Sequence, residues 1–175
     1  DRAILKVEVV EKKTGQFSVG GGWSSADGPL ASVNLSQANL LGTGRSLGVF
    51  AGRGSSSNTF GLSYSEPHMF NNRITGSVDL YRTDDPRNVV KANGYDEVRL
   101  GSKFSLSAPI SERFGASVYY ALESRKIRDV DAKLSGVGTA ADPNLIIAGT
   151  SLHSALGYQL SYNQLDSTRS PTAGY

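Results

Sequence analysis

Apolar and polar residues trade places along this chain at every step, not at every third or fourth. That period of two marks extended strands with one dry and one wet face. In "GQFSVGGGWSS", Phe17, Val19, Gly21 and Trp23 share one face, and Gln16, Ser18, Gly20 and Gly22 share the other. Ala31, Val33 and Leu35 alternate with Ser32, Asn34 and Ser36, and Phe60, Leu62 and Tyr64 with Thr59, Gly61 and Ser63. Ile74, Gly76, Val78 and Leu80 oppose Arg73, Thr75, Ser77 and Asp79. Val98, Leu100, Phe104 and Leu106 oppose Glu97, Arg99, Lys103 and Ser105, and the stretches 114–123 and 152–163 repeat the pattern. At 46–51 the alternation is imperfect, because Phe50 falls in step with Ser46 and Gly48. The pattern predicts about eight strands of roughly ten residues, the length that crosses a bilayer when tilted, after a first strand over 3–12.

The connections differ in chemistry. "LLGTG", "EPHMFNN" and "APISER" read as tight turns. "SSADG", "GRGSSSN", "DDPRNVVKANG" and the stretch 128–149 are polar, and the last two are long. Tight turns at one rim and polar loops at the other are the pattern of a membrane β-barrel. A soluble antiparallel sandwich also alternates. It would favour shorter strands and a core of large side chains, whereas the dry face here is often Gly or Ala. The fold expected is therefore all-β, an antiparallel transmembrane β-barrel, with Trp23 near its outer rim and Phe17, Tyr64 and Tyr162 near the tight-turn rim as interfacial aromatics.

Composition narrows the function classes. The net charge of +2 and the lack of a basic run argue against a nucleic-acid partner. With no cysteine there is no disulfide framework and no thiolate metal site. No apolar run is long enough for a membrane-spanning helix, and "DRAILKVEVVEKK" at the start reads as the interior of a longer chain. No serine sits in a G-x-S-x-G elbow, and "GTGRS" lacks the lysine and spacing of a phosphate loop, so no enzyme, catalytic residue or cofactor is expected. His68 and His153 are too far apart to suggest a metal site. Asp84, Asp85, Asp129, Asp131 and Asp142 fall in the predicted long loops, where a weak Ca²⁺ site or plain solvation would suit them. Glu97, Arg99 and Lys103 share the wet face of one strand, where they would line a water-filled lumen.

Five fragments in order resemble the Omp85 family. Val7, Glu8, Val9, Glu11, Thr14 and Gly15 resemble the junction where the last strand of a periplasmic POTRA domain enters the barrel. "NLLGTG", with Asn39, Leu40, Leu41, Gly42 and Gly44, resembles the family's turn between barrel strands two and three. "SYSEPHMFNNRITGSVDLYR", with Glu66 and Pro67, "LSAPISERFGASVYY", with Pro109 and Ile110, and "SYNQLDSTRSPTAGY", with Asp166, Pro171, Thr172 and Gly174, resemble the next three periplasmic turns. The resemblance implies residues 1–14 as a POTRA strand and junction, and 15–175 as the first half of a sixteen-stranded barrel. It implies an outer-membrane location with a periplasmic N-terminus, beside Glu11, Lys12 and Lys13.

The resemblance also implies a function: assembly of other outer-membrane proteins through a lateral gate. The gate strand would be Gln16, Phe17, Ser18, Val19, Gly20, Gly21, Gly22, Trp23 and Ser24. Three consecutive glycines remove cross-strand side-chain contacts while keeping the backbone bonds, so this strand would part readily from a closing neighbour and pair with an incoming one. The implied partners are nascent outer-membrane β-barrels, periplasmic accessory lipoproteins of the assembly complex, and outer-membrane lipid. Two other readings fit the residues: a protein-translocating pore of the same family, of the two-partner secretion type, and a passive barrel with binding loops at 128–149. A half-barrel has two exposed edges, so the edges are expected to meet further strands, another chain or amphiphile.

Overall fold

A computed structural model describes residues 13–25, 28–55, 57–86, 94–131 and 146–164. They form one eight-stranded antiparallel sheet in which sequence order is spatial order. The strands are β1 (Gly15–Ser24), β2 (Gly28–Gln37), β3 (Ser46–Gly54), β4 (Asn58–Met69), β5 (Ile74–Asp85), β6 (Asp96–Pro109), β7 (Phe114–Arg128) and β8 (Gly149–Tyr162). They lengthen from 10 residues in β1 to 15 in β7, long for soluble strands and suited to crossing a bilayer at a tilt. The strand expected over 3–12 lies outside the described residues. No described helix is long and apolar enough to cross a membrane, which says nothing against crossing by strands.

Register carries the alternation from strand to strand. Phe17 pairs with Leu35, Leu35 with Val49, Val49 with Leu62 and Leu62 with Leu80. Val78 pairs with Phe104, Phe104 with Tyr120 and Tyr120 with Leu156. Partners across a ladder share a face, so these residues make one continuous apolar surface. A slip of one residue anywhere would turn a strand's dry set onto the wet side. No described hydrophobic residue is buried: Trp23 is 77% exposed and Leu156 81%. A sandwich would place that face in a core; here it is exposed. Towards the polar-loop rim it becomes charged, at Arg53, Arg82, Asp84 and Lys126, so the apolar band has an upper limit.

The glycines contradict one expectation. They gather mainly on the polar face, as Gly48, Gly52, Gly61, Gly101, Gly115 and Gly157, not on the apolar one. The reason is cover by rings from neighbouring positions. Tyr81 lies over its cross-strand partner Gly101 and Tyr119 over its partner Gly157, each where a Cβ would be. Phe50 lies along its own strand over Gly52, its ring 3.1 Å from where a Cβ would sit. The residue that broke the alternation is thus an aromatic lid on a glycine.

The connections sort to two rims as their chemistry predicts, though not by length. The strand ends at Gln37 and Ser46, Met69 and Ile74, and Pro109 and Phe114 make one rim; those at Ser24 and Gly28, Gly54 and Asn58, Asp85 and Asp96, and Arg128 and Gly149 make the other. The β2–β3 connection winds one 3-10 turn, Leu40–Gly42, and Asn39 Oδ1 accepts from the Gly44 N–H at 2.6 Å. Gly42 and Gly44 have positive φ there, as turn glycines should, but so does Leu41. Glu66 and Pro67, expected in a turn, sit in β4 instead. A register shift between Glu66 and Met69 absorbs the proline, which has no N–H to give the ladder. The turn proper holds Phe70 and Asn71, both with positive φ, and the Asn72 N–H donates to Met69 O at 3.1 Å. Left-handed backbone costs a bulky residue about 1–2 kcal/mol. Phe70→Asn is therefore expected to raise the free energy of unfolding by about 1 kcal/mol, measured by urea titration of the folded barrel in lipid vesicles.

Candidate functional site: the glycine-rich edge strand

The strand β1 is an edge. It pairs through all ten of its residues with β2, from Gly15 with Gln37 to Ser24 with Gly28, and with no other described strand. Among the described residues its other flank, over 16–23, carries no ladder, and backbone N–H and C=O groups so placed are a template for a further strand. All of Gln16, Phe17, Ser18, Val19, Gly20, Gly21, Gly22 and Trp23 are exposed, and Ser24 is half-buried. The β8 strand is the other edge.

Nothing within the sheet requires the three glycines of β1. The register runs through Gly20, Gly21 and Gly22 without a shift, so they do not serve a bulge. None has positive φ; among the described glycines only Gly28, Gly42 and Gly44 do. A Cβ at Gly22 would meet nothing within 4 Å, and one at Gly21 only the Leu30 carbonyl oxygen at 3.7 Å. At Gly20 the neighbour is the Ser32 hydroxyl at 2.9 Å, the tip of a side chain that can rotate away. Neither backbone nor packing explains residues that weaken a strand. Beside them is a groove of about 390 Å³ on the polar face, floored by glycine and walled by Leu30 and Phe50.

The charged residues expected on the wet face are together there, within a larger constellation than the sequence suggested. Arg99 bonds Asp85 at 3.0 Å, and its Nε faces Glu97 at 3.5 Å. Glu97 also contacts Arg125 from β7. Lys103 stands over the Tyr119 ring, 4.5 Å from its centroid. The Tyr81 hydroxyl donates to Glu123 at 2.6 Å. Arg125 and Glu123 escaped sequence reasoning because cross-strand register brings them to Glu97 and Tyr81; the only available signal was their shared parity with Glu97. Asp84 and Asp85, expected in a loop, close β5 and are held by Arg82 and Arg99, so their charge is already met. Among the described residues no group of three metal-ligating side chains occurs. Asp142 lies outside the described residues, and His68 and His153 lie on different strands, His153 with Ser151 Oγ at 2.9 Å.

On the tight-turn rim, Asn39, Leu40, Leu41, Gly42 and Gly44 occupy the β2–β3 turn, and Pro109 ends β6. Arg45 reaches Glu66 at 3.0 Å, and this hydrogen bond and charge push the Arg45 pKa further up. Asp166, Pro171, Thr172 and Gly174 lie outside the described residues.

Comparison with known proteins decides the family. The model of the Omp85 superfamily domain matches residues 39–175. The chain belongs to the Omp85 superfamily. It is 30% identical over 173 residues to the outer membrane protein assembly factor BamA of Neorickettsia risticii (strain Illinois), covering 98% of this chain and 22% of that protein. It is 28% identical over 114 residues to the BamA of Neisseria meningitidis serogroup B, covering 64% and 14%. The matched stretches thus span 22% and 14% of the length of these relatives. Its fold matches the crystal structure of Haemophilus ducreyi BamA lacking POTRA domains 1–3, with a TM-score of 0.65 and 23% identity over 94% of this chain and 32% of that one. The sheet is accordingly a stretch of BamA-like Omp85 barrel wall.

Proposed function

We propose that this stretch of barrel carries the lateral gate of an outer-membrane protein assembly factor, and that β1 is the strand on which client barrels are built. The observation that carries the reading is the glycine run that neither backbone geometry nor the β2 neighbour requires. A weak seam accounts for it. With side chains removed at Gly20, Gly21 and Gly22, the closing strand of the whole barrel is held by backbone bonds and few cross-strand contacts, each worth ~0.2–1 kcal/mol. An incoming strand of a nascent outer-membrane protein can take its place. Main-chain bonds give affinity without demanding one sequence, and the groove beside Leu30 and Phe50 leaves space for the client's side chains. The driving force is the client satisfying its own backbone in lipid, where each unpaired group costs several kcal/mol, so no nucleotide is needed.

In this reading the chain lies in the outer membrane with the tight-turn rim and N-terminus in the periplasm. Residues 1–14 are the end of a POTRA domain, and accessory lipoproteins meet that rim. A disulfide tether from Val19 to the closing strand, in the whole protein, is expected to stop assembly of client barrels and to release it on reduction. Client assembly at the untethered rate through a seam locked shut would refute the gate.

A further inference from the structure

Two residues are out of place on the polar face of β1, β2 and β3. Every other position there is Ser, Asn, Gln or Gly, yet Leu30 and Phe50 stand among them, 37% and 41% exposed. Leu30 is the cross-strand partner of Gly22, and Phe50 leans along β3 over Gly52. They wall the groove of about 390 Å³ whose lining includes Gly20, Gly22, Gly52 and Gly54. Apolar walls around bare backbone suit an apolar occupant, and nothing in the described sheet supplies one.

A second, separate observation says what kind of group fits. Elsewhere on this face a glycine is covered from the adjacent strand. Tyr81 of β5 lies over Gly101 of β6, and Tyr119 of β7 over Gly157 of β8. Each pair is in direct register, and ring atoms take the place a Cβ would need. Strands lie about 4.8 Å apart, so each ring bridges one inter-strand gap. Gly22 has no such lid: nothing lies within 4 Å of its Cβ position. Its β2 partner is Leu30, which does not cover it, so the lid's place falls to a strand on the free flank of β1. An antiparallel pair has a local two-fold axis through the sheet, so either of its strands can carry the ring.

We propose that the strand received by β1 carries an aromatic side chain in direct register with Gly22, its ring lying across that glycine and into the groove against Leu30 and Phe50. The inference rests on the gate reading and adds to it a residue class and a position. Glycine at 22 is what such a ring needs: a Cβ there is free of contacts in the sheet as it stands, but it occupies the ring's seat.

The test uses the whole protein with Ser18→Cys and a client barrel with one cysteine in its last strand, placed where it forms a disulfide with position 18 during assembly. Four residues before that cysteine, where antiparallel register faces Gly22, the client carries either tyrosine or serine. The tyrosine client is expected to cross-link about fivefold faster than the serine client. Gly22→Ala is expected to abolish the difference and Leu30→Ser to reduce it, so that either variant serves should the other fail to fold, as checked by heat-modifiable gel migration. Equal rates for the two clients with glycine at 22, or a tyrosine preference unchanged in the folded variants, overturns the proposal and leaves the gate standing. Absence of any cross-link from either client overturns the gate reading, and the proposal falls with it.

Discussion

Replacing Gly20, Gly21 and Gly22 together with valine is expected to strengthen the barrel and slow its work. Valine suits a pleated strand better than glycine, and here it finds room: at Gly22 nothing obstructs a Cβ, and at Gly20 only a serine hydroxyl must turn. Each new side chain adds a cross-strand contact of ~0.2–1 kcal/mol with whatever strand lies beside it. Three such contacts total roughly 0.6–3 kcal/mol, a reduction of about 3–150-fold in how often the seam stands open. In the whole protein, the urea midpoint should rise or hold while the rate of client-barrel assembly falls by that order. The opposite signs separate a gate from simple damage, since a variant that merely misfolded would lose both. Unchanged assembly with a stiffened β1 would show that the glycines serve something else.

The second large effect is expected at the glycines beneath aromatic rings. Gly101 is buried under Tyr81, whose hydroxyl is held by Glu123. Gly101→Val drives the ring from its seat, and overpacking of this kind costs about 1–3 kcal/mol. The displaced phenol also loses its bond to a carboxylate, about 1.5–3 kcal/mol. A total loss of about 3 kcal/mol or more in unfolding free energy is expected for Gly101→Val. Tyr81→Phe, which removes only the hydrogen bond, should lose about half of that. Equal stability of Gly101→Val and wild type would mean that the ring has another place to go.

The strands, their faces and the two rims were legible in the sequence because period-two alternation is local and register merely propagates it: Leu62 sits opposite Val49 and Leu80 because each was already on the dry side. What the sequence did not disclose depends on which residues meet across strands. The lidded glycines needed the pairing of Tyr81 with Gly101 and Tyr119 with Gly157. The clustering of Arg99 with Asp85 and of Glu97 with Arg125 needed register across β5, β6 and β7. Pro67 misled the reading of its turn, because a proline near a strand end is equally at home at an irregularity in the ladder, and β4 takes it there. The triple glycine was visible from the start. Its meaning was not, since only coordinates show that backbone and β2 leave those positions unconstrained.

The central claim is that the free flank of β1 receives a client's strand. The most direct measurement places single cysteines through 16–24 of the whole protein and through the last strand of a client, and maps which pairs form disulfides during assembly. The account predicts bonds in one fixed register, moving one residue along the client for each residue along β1, and none from Leu62, in the middle of the sheet. Clients that assemble while no β1 position cross-links, or that cross-link equally from β1 and Leu62, would contradict it.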